Sequence, residues 1–297
     1  MNAQLALQLV VNGLSAGMLY LLVVFGIDLI LRSTKILNFA HGQFYMIGAY
    51  MCFLTYGVLH MNYFLSLVIA CLAVATLGAL SYLGIFNFVQ KRFAGVGSVS
   101  FRLLVSATSS VGLMMILQQG IILLFGTTTH GLPSAFPQTI TWDGVQLRAE
   151  RLVVILLGVM FCFGLYWLLF RTRMGKAARS VSFDAEASSL QGINASVVYL
   201  LSFIIGCALA GFAGAVIAPI FVVTPVMGHS IIFLALMVLV AGGIGSYKGA
   251  ILGAVLVGLF TSFGYQFLGG VSHMLLFVSV MLLLIFRPGG ILGEALD

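Results

Sequence analysis

Charge is what this chain has least of. Asp, Glu, Lys and Arg make up 7% of its 297 residues, against roughly a quarter in a soluble globular domain. With 62% hydrophobic residues and a mean hydropathy of +1.19, that scarcity excludes a water-soluble fold. Cysteine is also sparse. Cys52, Cys71, Cys162 and Cys207 lie inside apolar runs without CxxC spacing, so they read as small packing residues and not as a disulfide framework. His60, His130, His229 and His273 sit near the ends of apolar runs, with no HExxH or paired spacing, so no metal centre is expected. The GxxxxGK[ST] phosphate loop is missing, and Gly243 to Lys248 lacks its spacing. Paired carboxylates and nucleophile–base arrangements are missing too, which excludes the common enzyme classes. No linker or composition shift divides the chain, so residues 1–297 are expected to form a single transmembrane domain.

What is present is a series of apolar runs, many near the roughly twenty residues that cross a hydrocarbon core as a helix. The ~10-residue alternating segments of a membrane barrel do not occur. Nine runs can be drawn, at 5–31, 44–58, 63–89, 103–125, 152–170, 197–220, 231–244, 250–268 and 273–285. The fold class is therefore all-α, a polytopic transmembrane bundle with eight to nine crossings. The count is left open because 44–58 and 231–244 are short and bordered by glycine-rich turns, as broken or re-entrant segments are. The N-terminal run is too long for a signal-peptide core and is read as a retained first helix.

Arg32, Lys35, Lys91, Arg92, Arg102, the arginines after residue 170, Lys248 and Arg287 fall between runs on one common side. The positive-inside rule makes that side the cytoplasm of a bacterial inner membrane, with a periplasmic N-terminus and a cytoplasmic C-terminus. Only Arg148 and Arg151 conflict, beside Asp143 and Glu150. The net charge of +6 reads as this bias plus attraction to anionic membrane lipid, not as a nucleic-acid surface. Residues 126–151, with Pro133, Pro137 and the Trp142-Asp143-Gly144 turn, read as the main extracellular loop.

One polar stretch stands out. Arg171, Arg173, Lys176, Arg179, Asp184 and Glu186 all fall within residues 171–194, RTRMGKAARSVSFDAEASSLQGIN, inside a 171–196 cytoplasmic loop. Residues 176–181 can make about one and a half helical turns. Asp184 suits an N-cap, Glu186 the positive end of a helix dipole, and Gly192 a left-handed C-terminal position. Ala178, Val181, Ala187 and Leu190 are then expected to face a partner or the membrane surface. The alternative is an ordinary solvated loop kept inside by its arginines.

Leu37-Asn38-Phe39-Ala40-His41-Gly42-Gln43-Phe44-Tyr45-Met46-Ile47-Gly48-Ala49-Tyr50 resembles the N-terminal hallmark of LivH-type permeases, the membrane subunits of ABC importers for branched-chain amino acids. Arg173-Met174-Gly175 through Gly192-Ile193-Asn194 is similar to that family's cytoplasmic segment. So is Ala241-Gly242-Gly243-Ile244-Gly245-Ser246 with Gly249-Ala250 and Gly253, and Arg287-Pro288-Gly289-Gly290-Ile291-Leu292-Gly293 matches its closing motif. Lys248 departs from the pattern.

The resemblance implies a permease that moves a small amino acid by alternating access, with leucine, isoleucine or valine favoured over urea, short amides or aromatic carboxylates. It implies a second, LivM-like permease subunit, two cytoplasmic ATPase subunits and a periplasmic binding protein. ATP and Mg would be bound by the ATPases, and no cofactor by this chain. The coupling contacts fall on Arg173, Met174, Gly175, Arg179, Asp184, Glu186 and Gly192.

Interrupted helices in corresponding places of two halves often line a transport pathway. The candidates are 38–50 and 242–249. Unwound backbone at 38–42 would present amides and carbonyls to a zwitterionic solute, which puts Asn38, His41, Gly42, Gln43 and Tyr45 on the pathway together with Gly242, Gly243, Gly245 and Ser246. The alternative at 38–42 is a tight turn in which Asn38 and His41 cap a helix. Gly245, Gly249 and Gly253 at spacing four, and the Gly13–Gly17 notch, suit close helix packing. Asp28 pairs with Arg32 one turn later. The rival class is an ion-coupled carrier or a channel, which would need intramembrane carboxylates that are absent apart from Asp28.

Overall fold

The computed structural model describes residues 3–93, 99–142 and 145–293. A long first helix, α1 (Ala3–Thr34), is followed by α2 (His41–Cys52), which runs on through π-helical turns at Phe53–Val58. Then come α3 (Tyr63–Ser81), π-helical turns at Tyr82–Phe86, α4 (Asn87–Arg92) and α5 (Val99–Phe125). A hairpin of β1 (Thr139–Trp142) and β2 (Val145–Arg148) leads into α6 (Ala149–Arg171), the short pair α7 (Arg173–Phe183) and α8 (Ala185–Leu190), and α9 (Ala195–Ile217). The chain closes with α10 (Met227–Gly242), α11 (Tyr247–Leu268) and α12 (Val271–Phe286).

All nine apolar runs are helical. Among the described residues six helices are long and apolar enough to cross a membrane: Gln4–Thr34, Tyr63–Arg92, Phe101–Phe125, Ala149–Arg171, Ala195–Ile217 and Tyr247–Leu268. Met227–Gly242 and Val271–Phe286 are shorter and equally apolar. The all-α expectation needs one correction. Residues 139–148 pair as an antiparallel hairpin, with Thr139 opposite Arg148 and Trp142 opposite Val145. Alternating Thr, Ile, Thr and Val, Gln, Leu are strand-forming residues that flank a turn signal. That turn, Asp143-Gly144, lies outside the described residues.

The helix ends follow local chemistry. Asn62, Thr172, Asp184, Asn194 and Ser246 each accept a backbone N–H at the start of α3, α7, α8, α9 and α11, as short polar side chains at N-caps do. Pro133, Pro137, Pro219, Pro225 and Pro288 all fall between helices, where a missing N–H breaks no helical ladder.

The chain divides into two compact units. One comprises Met1–Phe25, Pro133–Phe161 and Phe233–Asp297, the other Gly26–Leu132 and Cys162–Ile232. In the first, α1 meets α11 through small residues. A Cβ on Gly13 would lie 2.9 Å from the Leu259 backbone, and one on Gly17 2.7 Å from the Ala254 carbonyl. Phe25 stacks on Tyr247 at 4.7 Å between centroids, and Ser262 donates a hydrogen bond to the Leu9 carbonyl at 2.7 Å. In the second unit α9 is the core. From Leu209 to Ile217 every residue is buried, and Phe203 packs against Tyr82 and Phe86 at 5.0 Å each. Asp28 and Arg32 form an ion pair of 2.6 Å. Large apolar side chains elsewhere point outward, among them Leu123, Leu124, Phe163 and Phe286, as they do where lipid is the solvent.

Candidate functional site

The polar stretch after α6 builds a compact two-helix element. The Thr172 hydroxyl accepts the Gly175 N–H at 3.1 Å and donates to the Leu168 carbonyl at 2.5 Å, so it ends α6 and starts α7 together. Gly175 sits where α7 folds back, and a Cβ there would overlap the Leu168 and Leu169 carbonyls. Arg179 donates to the Leu169 carbonyl and lies 5.0 Å from the Phe170 ring centroid. A guanidinium at that place satisfies an orphan carbonyl and complements the negative end of α6. Asp184 closes α7 and caps α8, its Oδ1 accepting the Glu186 and Ala187 N–H groups at 2.9 and 3.0 Å. At the far end Gly192 takes φ +83, and the Ile193 N–H reaches the Ser188 carbonyl at 3.1 Å. This is the Schellman closure for which the left-handed glycine is required.

Two expectations are corrected here. Helix α7 spans Arg173–Phe183 and not only 176–181, because the Thr172 cap starts it before Gly175. Ala178 and Val181 do not face a partner. They are buried against Val198 of α9, with Ile193 and Tyr199 packed beside them. Ala187 and Leu190 remain outward, Leu190 at 90% exposure. The residue that sequence reasoning missed is Phe183, 91% exposed. The signal was available: five positions beyond Ala178, it lies well off the Gly175–Ala178–Val181 stripe on a 3.6-residue helix. Arg173, Lys176 and Glu186 are exposed on the same element, whereas Met174 is half-buried and Arg179 is committed to α6.

The second region is the entry to α2. Helix α1 ends at Thr34, Lys35 beyond it is left-handed at φ 54, and the non-helical stretch runs from residue 35 to 40, not 38 to 42. His41 and Gly42 are helical because the Asn38 Oδ1 accepts the Ala40 N–H at 3.0 Å, an Asx turn that starts a helix two residues on. The Phe39 N–H donates to the Ser110 hydroxyl at 2.9 Å, tying the stretch to α5. From His41 to Tyr50 every residue is buried. A Cβ on Gly42 would meet the Gly228 carbonyl, one on Gly48 the Gly211 carbonyl, and one on Gly214 the Tyr45 carbonyl. The Gln43 amide is fully buried, and neither its nitrogen nor its oxygen finds a hydrogen-bond partner among the described residues; the same holds for the Asn38 amide nitrogen and the Tyr50 hydroxyl. Each such orphan costs about 1–3 kcal/mol. Asn38, His41, Gly42, Gln43 and Tyr45 thus lie together, with buried amide groups whose bonding is unmet.

The glycine turn after α10 is a different kind of place. Gly243 and Gly245 take φ +98 and +92, and the Ser246 hydroxyl accepts the Gly249 N–H at 3.0 Å to cap α11. The closing motif folds onto this turn: the Ile291 and Leu292 N–H groups donate to the Ala241 and Gly242 carbonyls at 2.9 and 3.2 Å. Gly243 lies against Gly289 and Gly293, and Gly242 against Gly249. Two stretches far apart in sequence therefore form one backbone joint at Gly242 and Gly243, just ahead of the Ser246 cap. Gly245 precedes α11 and is not on its face, because Ser246 is the cap. Gly249 and Gly253 are on that face, toward Gly242 and Val238 of α10.

Comparison with known proteins follows this geometry. The family described as "Branched-chain amino acid transport system / permease component" matches residues 9–286. The chain is 31% identical over 295 residues to the high-affinity branched-chain amino acid transport system permease protein BraD of Pseudomonas aeruginosa, covering 97% of this chain and 96% of that protein. It is 29% identical over 297 residues to the permease protein LivH of the same kind of system in Escherichia coli, with the same two shares covered. It is 28% identical to the permease protein LivM of Salmonella typhimurium, over 93% of this chain and 68% of that protein. No solved structure matches it.

Proposed function

The chain belongs to the family of branched-chain amino acid transport permease components, and from that premise we propose that it forms one half of the membrane channel of an ATP-driven importer. Its solute is a branched-chain amino acid, moved inward across a bacterial inner membrane by alternating access. The N-terminus is periplasmic and the C-terminus cytoplasmic. The nine apolar helices make eight or nine crossings, with the segments at α2 and α10 the ones that stop short. A second permease subunit completes the channel, and likeness to both LivH and LivM proteins fits two related halves. Two cytoplasmic ATPase subunits bind ATP and Mg, and a periplasmic protein delivers the solute.

The observation that carries the reading is the α7–α8 element. Thr172 and Arg179 tie it to α6, Gly175 lets it fold back there, and Asp184 joins its two helices, while Phe183 and Leu190 stand almost wholly exposed. Two exposed apolar side chains on an element that also exposes Arg173, Lys176 and Glu186 have the composition of an interface anchor with polar surroundings. Closure of the ATPases on ATP would push this element, and through it α6 and α9. On the membrane side the unmet amides of Asn38 and Gln43, with His41, Gly42 and Tyr45, wall the solute path. Gly242–Ser246 and the closing motif act as the joint at the base of α10 and α11.

Uptake of radiolabelled L-leucine into proteoliposomes containing this chain, its companion permease, both ATPases and the binding protein tests the reading. ATP-dependent accumulation is expected. Accumulation driven by an ion gradient without ATP would overturn it.

A further inference from the structure

Beside the α7–α8 element lies a cleft of about 530 Å3, within the size range of small-ligand sites. Five pieces of chain build it: the end of α1 with its following turn, the end of α4, the start of α5, the α7–α8 junction, and Tyr199 of α9. All of these lie at the helix ends that carry the positive-side bias. The cleft is lined by two cations, Lys35 and Arg102, and two carboxylates, Asp184 and Glu186. Among the described residues none of the four is paired with another charged side chain, since the ion pair formed is Asp28 with Arg32. All four are exposed, so water solvates them while they are open, and both signs are within reach of a solute that carries both. Lys35 is placed there by a left-handed backbone, unusual for a side-chain-bearing residue and of the kind held at functional sites. Asp184 spends one carboxylate oxygen on the α8 cap, while among the described residues no hydrogen bond holds the other. Between the charges the lining is mixed, with Ile36, Val89, Phe93, Val181 and Phe183 beside the polar Ser33, Thr34, Gln90, Ser106 and Ser182.

We propose that this cleft binds a small zwitterionic amino acid with an aliphatic side chain from the cytoplasmic side, and that its occupancy slows import. The α-carboxylate meets Lys35 and Arg102, the α-ammonium meets Glu186 and the second oxygen of Asp184, and the side chain covers the apolar part of the lining. The cleft joins the α7–α8 element to the turn that leads into α2. A bound solute therefore fastens the element that receives the ATPase stroke to the segment whose helix walls the path. The identity of the solute rests on the transport reading above, whereas the binding itself does not.

The assembled transporter, without its binding protein, is dialysed against radiolabelled L-leucine in lipid nanodiscs, and ATP-driven uptake is measured in proteoliposomes with L-leucine on the ATPase side. Saturable binding and slowed uptake are expected. Arg102→Gln and Lys35→Gln should each weaken both effects about tenfold or more, as loss of a charge-assisted contact does, with uptake at zero cytoplasmic leucine within about twofold of wild type. If Arg102→Gln fails to assemble, the exposed Lys35→Gln carries the test. No saturable binding, binding that leaves uptake unchanged, or inhibition untouched by both variants overturns the inference while leaving the importer standing. Failure of uptake with binding intact overturns the importer reading and leaves the cleft a leucine site.

Discussion

In α2 the residues from His41 to Tyr50 are all buried and helices meet backbone to backbone through Gly42, Gly48 and Gly214; in 171–194 the chain is polar, pinned by side-chain caps, and leaves Phe183 and Leu190 in the open. The two regions lie in one unit and answer to different solvents. Within lipid, apolar contact between helices gains little over contact with lipid, so close approach through small residues is what holds a bundle together. Outside it, the hydrophobic effect returns, and two large apolar side chains left exposed signal a surface that another protein covers. The first region should therefore tolerate no added atoms, and the second should tolerate changes that spare its caps while losing only its partner.

Gly214→Leu strikes the first region hardest. A side chain there meets the Tyr45 carbonyl, and overpacking against backbone costs about 3 kcal/mol or more. No monodisperse folded permease should emerge from size-exclusion chromatography in detergent; a normal profile would break the comparison. Next in size, the double variant Phe183→Asp and Leu190→Asp should cut ATP-driven uptake by about a hundredfold, on the scale of two interface anchors, with the melting temperature of the isolated chain unchanged. A comparable loss of melting temperature would mean these side chains pack inside the protein after all.

Gln43→Leu separates stability from transport. Removing an unmet buried amide should raise the melting temperature by about 2–4 °C, and uptake should fall about tenfold if that amide serves the solute. A stabilised variant with full uptake would remove Gln43 from the path. The smallest effect is expected from Asp184→Ala, which removes the α8 cap at about 1 kcal/mol. Uptake should fall only a few-fold, with Asp184→Asn restoring most of it.

The bundle was legible in the sequence because hydropathy and length report directly on lipid. Each of the nine runs became a helix, and Asp184 and Gly192 mark the helix ends assigned to them. Side-chain facing was harder to read. Ala178 and Val181 looked like a docking stripe, yet a stripe spaced three apart on a short helix serves equally to seat it on α9. Phe183 was passed over because it falls at a helix end, next to the cap that drew attention. The unwound reading of 38–42 reached two residues too far, since the Asn38 turn, the alternative at that place, starts the helix at His41. The glycine turn at 242–246 and the closing motif gave no hint of each other, because a backbone joint between Ala241 and Ile291 leaves no periodicity to detect. The Lys35–Arg102–Asp184–Glu186 cleft was equally invisible, its charges being far apart in sequence.

The central claim is that the open face of 171–194 is covered by the ATPases. A single measurement addresses it: the rate at which a water-soluble maleimide labels Phe183→Cys in the chain alone and in the assembled complex. The native cysteines, in membrane helices and buried or half-buried, give a low background. Labelling about tenfold slower after assembly is the predicted result. Equal rates in both states would show that Phe183 faces water in the working transporter, contradicting the account.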